Sequence, residues 1–165
     1  MVDTARLRLR EFRDDDLDAF AAMNADAETM RYIGTGVPID RIQTWRSMAM
    51  FMGHWDLRGY GIWAVEERAT GAFVGRVGLF NPEGWPGLEV GWLLGPAFRG
   101  QGYATEAGAA ALDFAWASVG AADRVISLIR PANAPSIRVA EKLGERLVDE
   151  IDFDGPALVY AVDRP

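Results

Sequence analysis

The chain has 165 residues, half of them hydrophobic, with 17 Lys and Arg against 24 Asp and Glu, six Trp, one His and no Cys. A chain of roughly 150 residues buries about 70% of its unfolded surface, which fits one stable domain spanning 1–165 rather than a disordered tail. The net charge of −7 disfavours general adhesion to nucleic acid or to an anionic membrane. Without Cys there are no disulfides, thiolate-held zinc or iron–sulfur sites and no thiol nucleophile, and His54 alone cannot supply a site needing two His. No metal is expected.

Met1 to Asp16 lacks the apolar stretch of a signal peptide and the Ser-rich bias of a transit peptide. No apolar run approaches the roughly 18 residues that span a bilayer, so the reading is cytoplasmic. Leu7 and Leu9 alternate with Arg6, Arg8 and Arg10, the period of a half-buried strand. Asp14, Asp15 and Asp16 then precede Leu17, Phe20 and Ala21, the spacing of a helix opened by acids. A loop through Gly34, Gly36 and Pro38 leads to a second helix from Asp40 to about Met52, with Ile42, Trp45, Ala49 and Met52 on one face. From Gly61 the pattern changes to strands. Ile62 to Val65 and Phe73 to Leu79 form a hairpin around Arg68-Ala69-Thr70-Gly71, and after a turn Leu88 to Leu94 reads as a central strand, apolar on both faces. A helix from the glycines at 100 and 102 to about Trp116 follows, then a strand from Arg124 to Ile129, a helix opened at Asn133-Ala134-Pro135-Ser136, and two strands joined at Asp154-Gly155. The fold class is one mixed α/β sheet.

The segment Arg99-Gly100-Gln101-Gly102-Tyr103-Ala104-Thr105 carries the most information. Its glycines let successive N–H groups point into one concavity, and with the helix dipole such a nest binds a phosphate or pyrophosphate. Arg99 and Thr105 could add a charge-assisted and a hydroxyl contact. The alternative is plain strand-to-helix punctuation. A P-loop would need Gly-Lys-Ser/Thr, yet the only lysine is Lys142, and Thr105 stands where a dinucleotide fingerprint needs Gly or Ala.

The same segment fits Arg/Gln-x-x-Gly-x-Gly/Ala and thereby resembles the acyl-CoA loop of the GNAT N-acetyltransferases. The chain is similar to the RimJ/RimL-like branch in Arg6-Leu7-Arg8-Leu9-Arg10 with Asp15-Asp16, in Met30-Arg31-Tyr32, Glu89-Val90-Gly91-Trp92, Ala104-Thr105-Glu106-Ala107, and in Asn133-x-x-Ser136 running to Glu141-Lys142-Leu143-Gly144. The matches occur in family order and span nearly the whole chain. The resemblance implies a mostly antiparallel sheet, flanked by helices and splayed open between the strand ending at Leu94 and that from Arg124. Acetyl-CoA would be the co-substrate. Main-chain groups of Trp92, Leu93 and Leu94 would pair with pantetheine, the N–H groups from Gly100 through Gln101, Gly102 and Tyr103 to Ala104 would hold the pyrophosphate, and Asn133 would touch the CoA arm or cap the last helix.

With no Cys, an acetyl-cysteine intermediate is impossible, and direct attack of an amine on the thioester is the economical route. Glu89, on an otherwise apolar strand, is the candidate base, its alternative being an ion pair with an arginine. The tyrosine that many family members use to protonate the thiolate is replaced here by Ala140. Ser136 is the substitute candidate, or else a helix cap, with Tyr160 in reserve. Tyr32 and Trp55 are candidate substrate contacts, and His54 either lines the substrate mouth or caps a helix. The favoured acceptor is a protein N-terminal α-amine. A small amine or antibiotic, or a silent acyl-CoA sensor, are the alternatives, and the terminal hairpin with several Trp is compatible with a homodimer.

Overall fold

The computed structural model describes residues 1–120 and 123–165. Strands β1 (Val2–Asp3), β2 (Leu7–Arg10), β3 (Ile62–Glu67), β4 (Phe73–Phe80), β5 (Glu89–Leu94), β6 (Arg124–Ile129), β7 (Arg146–Asp152) and β8 (Pro156–Asp163) form one sheet in the order β1-β2-β3-β4-β5-β6-β8-β7. Every neighbouring pair is antiparallel except β5 with β6. The helices are α1 (Leu17–Asn24), α2 (Ala27–Met30), α3 (Arg41–Arg58), α4 (Tyr103–Ser118) and α5 (Ala134–Lys142).

One face of the sheet is covered by α4, whose Ala107, Ala111 and Ala115 let the helix lie close upon Leu7, Leu9, Val74, Val77 and Val90. The other face carries α1 and α3, through Phe20, Met23, Met48 and Phe51 over Ile62, Ala64 and Leu93. The Asp-Gly turn of the last hairpin lies in a three-residue connection, 153–155, with Asp154 at φ 51° and Gly155 at φ 106°, left-handed backbone of the kind short hairpin loops use.

The order of elements agrees with the sequence reading except for β1 and α2, which are too short to leave a periodic signal. Helix α3 runs to Arg58, six residues beyond the expected end, because its stop is the left-handed cap at Gly59 rather than the tolerated Gly53. Its outward face is a correction. Ile42, Trp45 and Met52 are about half exposed or more, while Thr44, Met48, Phe51 and His54 are buried. The helix is turned by aromatic contacts: Phe51 stacks on Phe12 at 5.8 Å and His54 lies 5.0 Å from Phe80.

The start of α1 is fixed by a buried ion pair. Arg10 is 7% exposed and donates two 2.7 Å bonds to the Asp16 carboxylate and a 3.0 Å bond to Glu66. Asp16 also accepts the Arg13 N–H. Breaking a buried pair strands the surviving charge at a cost of about 3–5 kcal/mol. Asp16→Ala is expected to lose that much in urea unfolding, and a loss below about 1 kcal/mol would contradict the anchoring role.

Candidate active site

Strands β5 and β6 pair only at Glu89 opposite Ile126. There the Ile126 N–H donates to the Leu88 carbonyl at 2.8 Å. One step on, the Ser127 hydroxyl reaches the Val90 carbonyl at 2.8 Å, a side chain bridging what backbone no longer closes. Beyond it the strands diverge. Because Leu88 and Val90 point toward β6, strand alternation directs the main-chain groups of Trp92 and Leu94 into the gap as well. Leu93 points the other way, to Arg76 of β4, with its side chain in the core. Its expected main-chain pairing with a ligand in the gap is corrected accordingly.

At the end of β5, Gly100 (φ 75°) and Gly102 (φ 83°) turn the chain into α4. Helix α4 has no side-chain cap, and none of the backbone N–H groups from Gly100 to Thr105 meets an acceptor among the described residues. Uncapped N–H groups converging at a helix N-terminus are suited to phosphate oxygens. Arg6 braces this turn: it donates to the Gln101 carbonyl at 2.9 Å, pairs with Glu106 at 2.7 Å and lies over the Tyr103 ring. Arg99 is engaged elsewhere. Its guanidinium donates to the Leu94 carbonyl at 3.1 Å and to Thr29 at 2.6 Å, so it ties the loop to α2 instead of projecting from it, and it covers the Leu94 oxygen.

Two adjoining cavities of about 80 and 300 Å³ open along the gap. The smaller is lined by Trp92, Asn133 and Ser136, the larger by Met50, Phe51, Phe80, Trp85 and Phe153, and both by Tyr32, Arg76, Glu89 and Arg130. Glu89 therefore faces the cavity, as expected. It accepts the Trp85 indole N–H at 2.6 Å and forms no ion pair within 4.0 Å among the described residues, which sets aside the structural alternative. Burial pushes its carboxyl up from the ordinary range, opposed by the Trp85 bond and the nearby Arg76 charge. Asn133 does cap α5, accepting the Ser136 N–H at 3.4 Å, while still lining the smaller cavity. The Ser136 hydroxyl accepts the Trp92 indole N–H at 3.2 Å, leaving its own hydrogen free to donate.

Other expected residues lie away from the cavities. Trp55 donates to the Ile62 carbonyl at 3.0 Å and packs on Trp63 and Phe114, a core position that corrects its expected contact with substrate. His54 is buried, its Nδ1 meeting the Tyr60 carbonyl at 2.8 Å and its Nε2 accepting the Asn81 N–H at 3.1 Å, so it holds a turn rather than a substrate. Tyr160 packs with Ile129 and Ala140 and lines neither cavity.

Sequence reasoning passed over three residues. Arg76 is the one charge within the apolar run of β4, a signal in plain view. Arg130 donates to the carbonyls of Gly34, Asp154 and Pro156, clipping two loops over the larger cavity. Glu145 is 2% exposed, with one carboxyl oxygen 3.0 Å from the Ser127 hydroxyl and the other unpaired. A hydroxyl has a single hydrogen, and the Val90 carbonyl can only accept it. The Glu145 contact is therefore satisfied when Glu145 is protonated. Burial pushes its carboxyl up to about 8. No side-chain pattern in Gly144-Glu145-Arg146 announces this.

The chain matches the acetyltransferase (GNAT) domain family over residues 6–146. It is 34% identical over 166 residues to the uncharacterized protein YkkB of Bacillus subtilis (strain 168), covering 95% of this chain and 92% of that one. It is 29% identical over 145 residues to the uncharacterized N-acetyltransferase YnaD of the same organism, covering 88% and 82%. The crystal structure of the acetyltransferase from Agrobacterium tumefaciens str. C58 superposes with a TM-score of 0.87 at 29% identity, over 99% of this chain and 94% of that one. The chain belongs to the GNAT N-acetyltransferases, a family that uses acetyl-CoA, and RimL and RimJ-like enzymes share its fold.

Glu145 generates a pH test. Its folded value lies above the unfolded 4.5, so its contribution to stability is whole below about pH 4.5 and is lost as pH rises toward 8. At ~1.36 kcal/mol per unit the loss is at most about 5 kcal/mol. Glu145→Gln keeps a donor for Ser127 and cannot ionise. Urea melts at pH 5 and pH 8.5 are expected to show the variant gaining on the parent as pH rises; a constant difference would mean that Glu145 is already ionised at pH 5.

Proposed function

We infer that this enzyme transfers the acetyl group from acetyl-CoA directly to a primary amine, with a protein N-terminal α-amine as the favoured acceptor and a small amine as the alternative. The observation that carries the reading is the gap itself: uncapped N–H groups from Gly100 to Ala104 at one end, and Glu89 with Ser136 along its length. These residues suit acetyl-CoA, with Gly100, Gln101, Gly102, Tyr103 and Ala104 holding the pyrophosphate, Thr105 adjoining it, and Trp92, Leu94 and Asn133 along the pantetheine arm. Arg6 and Arg99 shape the loop. Bound acetyl-CoA supplies the thioester, the electrophile of the reaction.

The attacking amine must be neutral. An α-amine with a pKa near 8 needs only about 1.4 kcal/mol to deprotonate at pH 7, whereas a lysine near 10.4 needs about 4.6. Glu89 takes the proton, directly or through one water, and burial raises its affinity for that proton toward the working pH. The new C–N bond forms as the C–S bond breaks, the Ser136 hydroxyl, with its hydrogen unspent, gives it to the departing thiolate, and water returns a proton to the serine oxygen. Tyr32 borders the acceptor end.

Release of free thiol from acetyl-CoA in the presence of amines and N-terminal peptides tests the activity; binding of acetyl-CoA without thiol release would instead indicate a sensor. Glu89→Gln is expected to flatten the acid limb of the pH–rate profile with little change in acetyl-CoA affinity, and an unaltered profile would remove Glu89 from the mechanism. Ser136→Ala is expected to lower kcat by about 10²-fold or more, whereas intact turnover in that variant together with its loss in Tyr160→Phe would reverse the assignment. Gly100→Val, at a left-handed position that costs a side chain about 1–2 kcal/mol, is expected to weaken acetyl-CoA binding by about tenfold, measured by tryptophan fluorescence. Unchanged affinity would take the pyrophosphate away from this loop.

A further inference from the structure

Among the guanidinium groups at the two cavities, Arg76 differs from the rest. Arg130, the other one, spends its terminal N–H groups on carbonyls. Arg76 lines both cavities and has no hydrogen bond or ion pair among the described residues, its only close partner being the face of Phe51 at 5.3 Å. Burial pushes the group down to about 10, opposed by the charge of Glu89, so it stays a cation in a place that penalises one. A half-buried guanidinium with its donors unspent, lining a cavity, is ready to take an oxygen acceptor from a ligand.

The opposite charge is close by and kept apart. Glu89 and Arg76 face the same space within Coulombic range, yet they do not close into a pair within 4.0 Å. Glu89 is held back by the Trp85 indole and faces the Leu128 N–H; Arg76 is held over Phe51. Two unlike charges separated across a cavity present a template for a molecule whose own charges are separated in the reverse sense. Around them the wall is apolar: Met50, Phe51, Phe80, Trp85 and Phe153. At about 300 Å³ the cavity is at the small end of the roughly 300–1,000 Å³ range of ligand pockets.

The geometry points to an acceptor that carries a carboxylate beside its amine and an apolar body, with the amine at Glu89 and the carboxylate on Arg76. This rests on the acetyl-transfer reading above and narrows it. A polycation has nothing to offer Arg76. The carboxylate can be the α-carboxylate of a free apolar amino acid or the side chain of an acidic residue next to a protein N-terminus.

The test compares thiol release with L-phenylalanine, its amide and 2-phenylethylamine, and with peptides beginning Met-Asp and Met-Asn, for the parent, Arg76→Gln and Arg76→Lys. In the parent, kcat/KM is expected to favour a carboxylate-bearing member over its uncharged counterpart by about 10- to 100-fold, the size of a charge-assisted bond. The free amino acid or the Met-Asp peptide will show this preference, which identifies the source. Arg76→Gln is expected to collapse the ratio to within about threefold, and Arg76→Lys to keep part of it. Acetyl-CoA affinity by tryptophan fluorescence reports whether each variant is folded. A parent ratio near one, or a ratio that survives Arg76→Gln, would overturn this inference alone. Absence of thiol release with every amine would take down the acetyl-transfer reading and this one with it.

Discussion

Two parallel strands that touch at one residue pair are the constraint on which the rest of this molecule turns. A parallel ladder between β5 and β6 that continued past Glu89 and Ile126 would leave no room for a ligand. The sheet instead closes the pair with the single backbone bridge at Glu89 and Ile126 and the Ser127 hydroxyl and then opens. The separation is supported from both sides: β5 is held in a full antiparallel ladder by β4, and β6 by β8. Each strand thus satisfies one edge and leaves the other free. The buried Glu145 stands behind the last bridge, keeping its proton so that Ser127 can give its own to Val90.

On the proposed reading, the cofactor end and the acceptor end of this opening use different chemistry. At the first, main-chain N–H groups freed by two left-handed glycines do the work, with arginines serving as braces from outside. At the second, side chains do the work within an aromatic wall. This division resolves the apparent conflict between a chain of net charge −7 and a polyanionic co-substrate. Anion binding needs no surplus of positive residues when the donors are backbone groups, and the two arginines near the loop, Arg6 and Arg99, are engaged with carbonyls, a carboxylate and a hydroxyl of the protein itself.

Much of this was legible in the sequence, and the exceptions are instructive. Strand periodicity, the turn glycines and the Asp154-Gly155 hairpin are local signals, and the structure follows them. Glu89 stood out because a lone acid on an apolar strand is costly; Arg76 carries the same signal on β4 and was passed over only because no motif surrounded it. Trp55 and the outward stripe of α3 show the opposite failure. An apolar stripe states that a helix is amphipathic, but which of its faces meets the sheet depends on Phe12, Phe80 and Asn81, distant in sequence. Arg99 was read from its place in a motif, while its partner Thr29 lies 70 residues away. Glu145 left no signal, since its neutrality comes from burial by segments distant in sequence.

Arg130 has a consequence for how the two ends behave in time. Its bonds require Gly34, the β7–β8 turn and the end of β6 to be in place together, and Gly34 lies 96 residues from Arg130 along the chain. Closing such loops is entropically costly and yields little until every piece has arrived. The glycine loop is braced across similar spans, by Arg6 on Gln101 and Glu106 and by Arg99 on Thr29. Both ends of the opening are therefore held by arginines that tie together segments distant in sequence, so local opening at either end must first release its brace.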